Sequence, residues 1–110
     1  MPVQTDNIIP TVELTAVDVP YYTAEALTII DKFTITSVSN AVRTVSVHVV
    51  EDGGTAGDEN LIVNQKGVLP RDTIDLFELV GHTLKLGDSV LVQASAGGAL
   101  NLRASGRIVT

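Results

Sequence analysis

The stretch "VRTVSVHVV", residues 42–50, constrains this chain more than any other. Val45, Val47 and Val49 fall on one side of an extended backbone. Thr44, Ser46 and His48 fall on the other. Side chains alternate with a period of two only along a strand, so this segment cannot present one apolar face as a helix. Val and Thr are stiff at χ1 and suit a pleated surface, and they recur throughout the sequence.

The same pattern returns along the chain. "TVELTAV" (11–17) alternates at Val12, Leu14 and Ala16. "LTIIDKFTITSVS" (27–39) places Phe33, Ile35 and Ser37 on one face, with a change of phase at Ile29 and Ile30 that predicts a bulge or a strand buried on both sides. "LIVNQ" (61–65) is a short strand. "TIDLFELV" (73–80) alternates at Ile74 and Leu76 and then shifts phase at Phe77 and Leu79. "TLKL" (83–86) follows. "SVLVQAS" (89–95) directs Val90, Val92 and Ala94 inward, and "ALNLRASGRIVT" (99–110) ends the chain as a strand with a break near Gly106. Between these lie turn signals: "SNA" at 39–41, "KGVLPRD" at 66–72, "GD" at 87–88 and "AGG" at 96–98. "VPYYTAEA" (19–26) reads as a connection, because it holds Pro20. Thr23 could cap a helix there, but β-branched residues follow too soon. Seven or eight short strands with turns at this spacing predict an all-β fold, an antiparallel β-sandwich resembling a jelly roll. At 110 residues there is room for one core. Residues 11–110 are expected to form that domain. Residues 1–10, closed by Pro10, are expected to form an extended N-terminal arm. Its apolar Val3, Ile8 and Ile9 need a surface to cover them, and they are the candidate interface residues.

Composition narrows function mainly by exclusion. There is no Cys, so disulfide frameworks and thiolate metal sites are ruled out. The formal net charge is −6, and the seven Lys and Arg residues are scattered. That argues against a nucleic-acid partner, which requires a basic stripe. No basic segment followed by an apolar run opens the chain, and no apolar run reaches membrane-spanning length, so neither a signal peptide nor a membrane partner is expected.

Few residues could carry chemistry. "EDGGTAGDEN" (51–60) brackets Gly53, Gly54 and Gly57 with Glu51, Asp52, Asp58 and Glu59. Calcium loops need carboxylates at close, alternating positions, and acids at loop positions one, two, eight and nine do not supply them. An acidic turn between two strands is the simpler reading, with a weak divalent-ion site as the alternative. His48 and His82 are the only histidines, and no clustered Asp or Glu completes a zinc set around them. "ASAGG" and "ASGR" are not nucleophile elbows. Asp72, Asp75, Glu78 and Asp88 could supply an acid/base pair, but Tyr21, Tyr22, Phe33 and Phe77 are the only aromatics to build a sugar cleft. "GGTAG" lacks the Lys and Ser/Thr of a phosphate loop. Arg43 and Arg71 flank turns, where isolated ion pairs contribute little. No catalytic residue, metal site or cofactor is expected.

The longer phrases "TIIDKFTITSVSNAVRTVSVHVVEDGGTAGDEN" (28–60) and "LPRDTIDLFELVGHTLKLGDSVLVQASAGGALNL" (69–102) resemble small all-β virion proteins of tailed bacteriophages. "GDSVLVQAS" is the most recognisable piece, and the resemblance covers most of residues 20–105. Such proteins are head decoration (cement) proteins or short neck and tail components. The resemblance implies a non-enzymatic structural role in the virion, after synthesis in the host cytoplasm. It implies the major capsid protein or other virion proteins as partners, and a homo-oligomer. It assigns no functional residue. The alternatives are a neck, tail or fibre-base component, or a calcium- or carbohydrate-binding β-sandwich module using the acidic loop.

Overall fold

The computed structural model describes residues 3–17 and 19–109. Nine strands form: β1 (Val3–Glu13), β2 (Val19–Thr23), β3 (Leu27–Ser37), β4 (Arg43–Val50), β5 (Leu61–Val68), β6 (Thr73–Asp75), β7 (Thr83–Leu84), β8 (Ser89–Ala94) and β9 (Leu100–Val109). Two antiparallel sheets pack together as a sandwich. One sheet has the order β1-β9-β3-β6, with β7 also on β3, and the other has the order β2-β8-β4-β5. The pairing is nested: β1 with β9, β2 with β8, β3 with β6 and β7, β4 with β5. This is one long hairpin rolled up, and the β9–β3 and β8–β4 pairs form where the roll closes. The result is the jelly roll expected from the spacing of turns.

The core lies between the sheets. Phe33, Ile35 and Ser37 are buried on β3, Val45 and Val47 on β4, Val90, Val92 and Ala94 on β8, and Leu100, Leu102 and Ala104 on β9, each following the two-residue period. The bulge expected near Ile29 and Ile30 lies between Ile30 and Lys32, where Asp31 is the extra residue. Opposite it, β9 runs unbroken through Gly106. A Cβ at Gly106 would collide with the Ile29 carbonyl oxygen, so glycine serves close strand approach there rather than a chain break. On β4, bulges opposite β5 let Val49 sit half-buried while Val50 is also buried.

Three expectations are corrected. Residues 3–10 are not a free arm. They belong to β1, which pairs with β9 from Val3↔Val109 to Glu13↔Asn101. Two irregularities, at Asp6/Ile9 and Ile9/Val12, let consecutive Ile8 and Ile9 both enter the core, at 6% and 2% exposure. The boundary drawn between residues 10 and 11 therefore falls inside a strand, while Met1 and Pro2 lie outside the described residues. The 19–26 "connection" contains β2. Pro20 is tolerated because β2 is an edge strand and its register shifts between Pro20 and Tyr22. The 73–80 segment is strand only to Asp75. Beyond it, Leu76 and Leu79 plug the core from a turn held by Leu76 N–H donating to the Phe33 carbonyl (2.8 Å) and Gly81 N–H to the Ile30 carbonyl (2.7 Å).

Candidate functional site

The strand directions sort the loops into two ends. One end gathers the segments around residues 14–17, 38–42, 69–72 and 95–99. Backbone hydrogen bonds knit them together: Leu14 N–H to the Leu100 carbonyl (2.8 Å), Val38 N–H to that of Ala99 (2.9 Å) and Arg71 N–H to that of Ser39 (3.2 Å). Arg43 Nε donates to Ser39 Oγ and Arg71 Nε to Asn40 Oδ1. Both arginines thus brace loops of their own chain. With those loops held, Val17, Val38, Val42 and Leu69 are left outward at 66%, 42%, 57% and 60% exposure. Three of the four loops at this end therefore display an aliphatic side chain.

The opposite end carries the acidic 51–60 loop and also displays exposed Phe77, Val80 and Leu86. The 51–60 loop is closed by its own residues. Gly54 N–H donates to the Glu51 carbonyl (2.8 Å), Gly57 N–H to Asn60 Oδ1 (3.0 Å), and Asn60 Nδ2 to the Thr55 carbonyl (2.9 Å). Asp58–Asn60 form one 3₁₀ turn. Asp88 anchors the loop from outside by accepting Asp52 N–H at Oδ1 (3.2 Å) and Lys85 N–H at Oδ2 (2.9 Å). Gly87 sits at φ +91° with Asp52 packed against its missing Cβ. Asn60 and Asp88 thus account for the loop's shape through its main chain. Glu51, Asp58 and Glu59 are exposed, and their carboxylates make no hydrogen bond or ion pair among the described residues. No group of three or more His, Asp or Glu side chains among the described residues is placed to hold a metal ion.

The remaining candidates are dispersed. His48 pairs with Leu91 in β8, and His82 lies in the turn after Gly81, where its carbonyl accepts Ile30 N–H (3.0 Å). Asp75 accepts from Thr34 Oγ1 (3.0 Å), and Asp72 accepts Thr73 N–H (2.9 Å). Glu78 pairs with Lys66 at 3.2 Å. A hydrogen bond from its own backbone, followed by that from Lys66 and the Lys66 charge, holds the Glu78 carboxyl below the usual range against an opposing desolvation. The four acids named as a possible acid/base pair are thus spent on separate local contacts. Tyr21 and Tyr22 are half-buried, with Tyr21 Oη accepting Thr15 N–H and Tyr22 Oη bonded to Thr28 Oγ1. Phe33 is core, whereas Phe77 is 74% exposed.

Of the candidate interface residues, Val3 is 58% exposed, while Ile8 and Ile9 are covered by their own chain. Two features escaped the sequence reading. The first is the aliphatic loop end, since turn residues carry no periodicity that reports exposure. The second is the outer face of the β1-β9-β3-β6 sheet, where a shallow groove is lined by Thr11, Lys32, Thr34, Asn101, Arg103 and Ser105. The alternation "NLRASGR" in β9 held that signal, because Leu102 and Ala104 inward require Asn101, Arg103 and Ser105 outward. No family model matches the chain, and no curated protein matches it.

Proposed function

We propose that the chain is a non-enzymatic structural protein of a tailed-phage virion, a decoration (cement) protein that binds the outside of the head as a homo-oligomer. The observation that carries this reading is the loop end bearing Val17, Val38, Val42 and Leu69, exposed on loops tied rigidly to one another. Apolar side chains on a stiff frame lose little freedom when a partner covers them, and grouped exposed apolar side chains mark contact surfaces. The resemblance of residues 20–105 to phage virion proteins supplies the kind of partner, the major capsid protein or another virion component. The acidic end then points away from the shell or toward a neighbouring copy. The mechanism is mass action: a protein that binds only the assembled shell stabilises it.

The test is localisation. A labelled antibody against this protein is viewed on intact particles by electron microscopy, beside particles assembled with Val42→Asp/Leu69→Asp protein. Label spread over the whole shell, and lost with the double variant, is the expected result. Label confined to one vertex or to the tail replaces the head reading with a neck or tail component. Particles without label overturn both.

A further inference from the structure

The charges of this molecule are unevenly spent. The outer face of the β1-β9-β3-β6 sheet carries Lys32, Arg103 and Arg107, three of the seven basic residues of a chain with thirteen acidic ones. Arg107 is engaged with Asp31 (Nε to Oδ1 3.0 Å, Nη2 to Oδ1 3.0 Å). Lys32 and Arg103 meet no carboxylate among the described residues, and the one hydrogen bond of the Arg103 side chain goes to Asn7 Oδ1 at 3.4 Å. Both stand over the groove, beside hydroxyls and an amide from Thr11, Asn101 and Ser105, while the Thr34 hydroxyl there is engaged with Asp75. Two cations that meet no carboxylate among the described residues suit an acidic loop. Arg and Lys attract its carboxylates, and the hydroxyls and amide beside them can bond the same oxygens.

The chain itself holds such a loop. The 51–60 loop is exposed and glycine-containing, and Glu51, Asp58 and Glu59 make no hydrogen bond or ion pair among the described residues. It projects from the connection between β4 and β5, which belong to the other sheet, and none of its residues lines its own groove. It is therefore available to the groove of a second copy. We infer that the acidic 51–60 loop of one protomer docks in the Lys32/Arg103 groove of the next. The contact is heterologous, because loop and groove are different surfaces, so it propagates from copy to copy and ends when the copies close into a ring. This deepens the homo-oligomer part of the proposed function, on which it rests, by naming the two surfaces that meet.

The test is charge exchange in the full chain. One variant carries Lys32→Glu and Arg103→Glu; the other carries Glu51→Lys and Glu59→Lys. Sedimentation equilibrium is run at about 50 mM and about 500 mM salt, since contacts between exposed charges weaken as the screening length shrinks. The wild-type chain should self-associate, with an association constant at least about tenfold lower at high salt. Each variant alone should be monomeric. An equimolar mixture should associate again, at least into heterodimers, because the unaltered groove of one variant then meets the unaltered acidic loop of the other. Circular dichroism melts establish that both variants fold. If either does not, the neutral pair Lys32→Gln/Arg103→Gln and Glu51→Gln/Glu59→Gln replaces it, and each must weaken association. A monomeric wild type, a variant that associates like wild type, or a mixture that stays monomeric overturns the inference. Particle labelling reads the other half independently. A monomer that still coats heads removes the loop–groove contact and leaves the decoration reading. An oligomer absent from particles does the reverse.

Discussion

The β3–β9 seam and the loops of the acidic end follow different rules. Along the seam, ten residue pairs run from Leu27↔Val109 to Ser37↔Leu100. Every inward position is filled, and at Gly106 there is no room for a methyl group against the Ile29 carbonyl. In the 51–60 loop the shape is set by main-chain hydrogen bonds and by Asn60, while its carboxylates stand in solvent. Close packing makes the seam intolerant of a single added or missing carbon. The loop tolerates changes of charge because the side chains of Glu51, Asp58 and Glu59 hold nothing in place. A protein of this design keeps its fold in one region and leaves its recognition chemistry free to vary in another.

The largest expected effect extends the rule of the seam outward to β1. Deleting residues 1–10 removes Ile8 and Ile9 from the core and most of the strand paired with β9. Two fully buried isoleucines correspond to about 3–6 kcal/mol of burial free energy, comparable with the whole stability of many domains, about 5–15 kcal/mol. The truncated chain should therefore lose its cooperative urea transition, followed by circular dichroism. A truncated chain that melts like the full one would restore the docking arm expected from the sequence.

Next in size is Gly106→Ala. The new Cβ has only backbone in front of it, so β3 and β9 must separate locally, at a cost of about 1–3 kcal/mol in urea unfolding. Asp58→Ala, on the loop side of the comparison, should stay within about 0.5 kcal/mol of wild type. Equal losses at the two sites would erase the distinction between seam and loop.

The same distinction explains what the sequence could and could not disclose. Strands β3, β4 and β8 were legible because both faces of each are in use, one buried and one wet, and alternation reports that directly. The Ser39 turn was legible through its small polar residues, and Ser39 Oγ does accept Ala41 N–H. β2 was hidden because an edge strand can admit Pro20, which in a central strand would be disqualifying. β1 was hidden because its irregularities bury two successive residues, Ile8 and Ile9, which destroys the period. Past Asp75, Leu76 and Leu79 are buried from a turn, so their spacing imitates a strand out of phase. Lys32 and Arg103 lie 71 positions apart, and only the Thr34↔Arg103 and Lys32↔Ser105 register brings them to one groove.

The smallest effect sharpens the loop side of the comparison, because it concerns an acid there whose titration is displaced by its surroundings. Glu78 lies in the turn after Asp75, and its carboxyl is held low by its own backbone hydrogen bond and then by Lys66. A carboxyl whose folded value lies below its unfolded one binds fewer protons when folded. It therefore stabilises the fold above the ordinary Glu range, and that contribution fades as the pH falls through the lowered folded value. Both side chains are well exposed, at 36% and 41%, so solvent screening keeps the contribution under about 1 kcal/mol. Glu78→Gln should melt slightly below wild type at neutral pH and converge with it in acid, and added salt should narrow the neutral-pH gap. A gap that persists unchanged in acid would mean that Glu78 holds the 76–82 turn by packing, and would move this loop to the side of the seam.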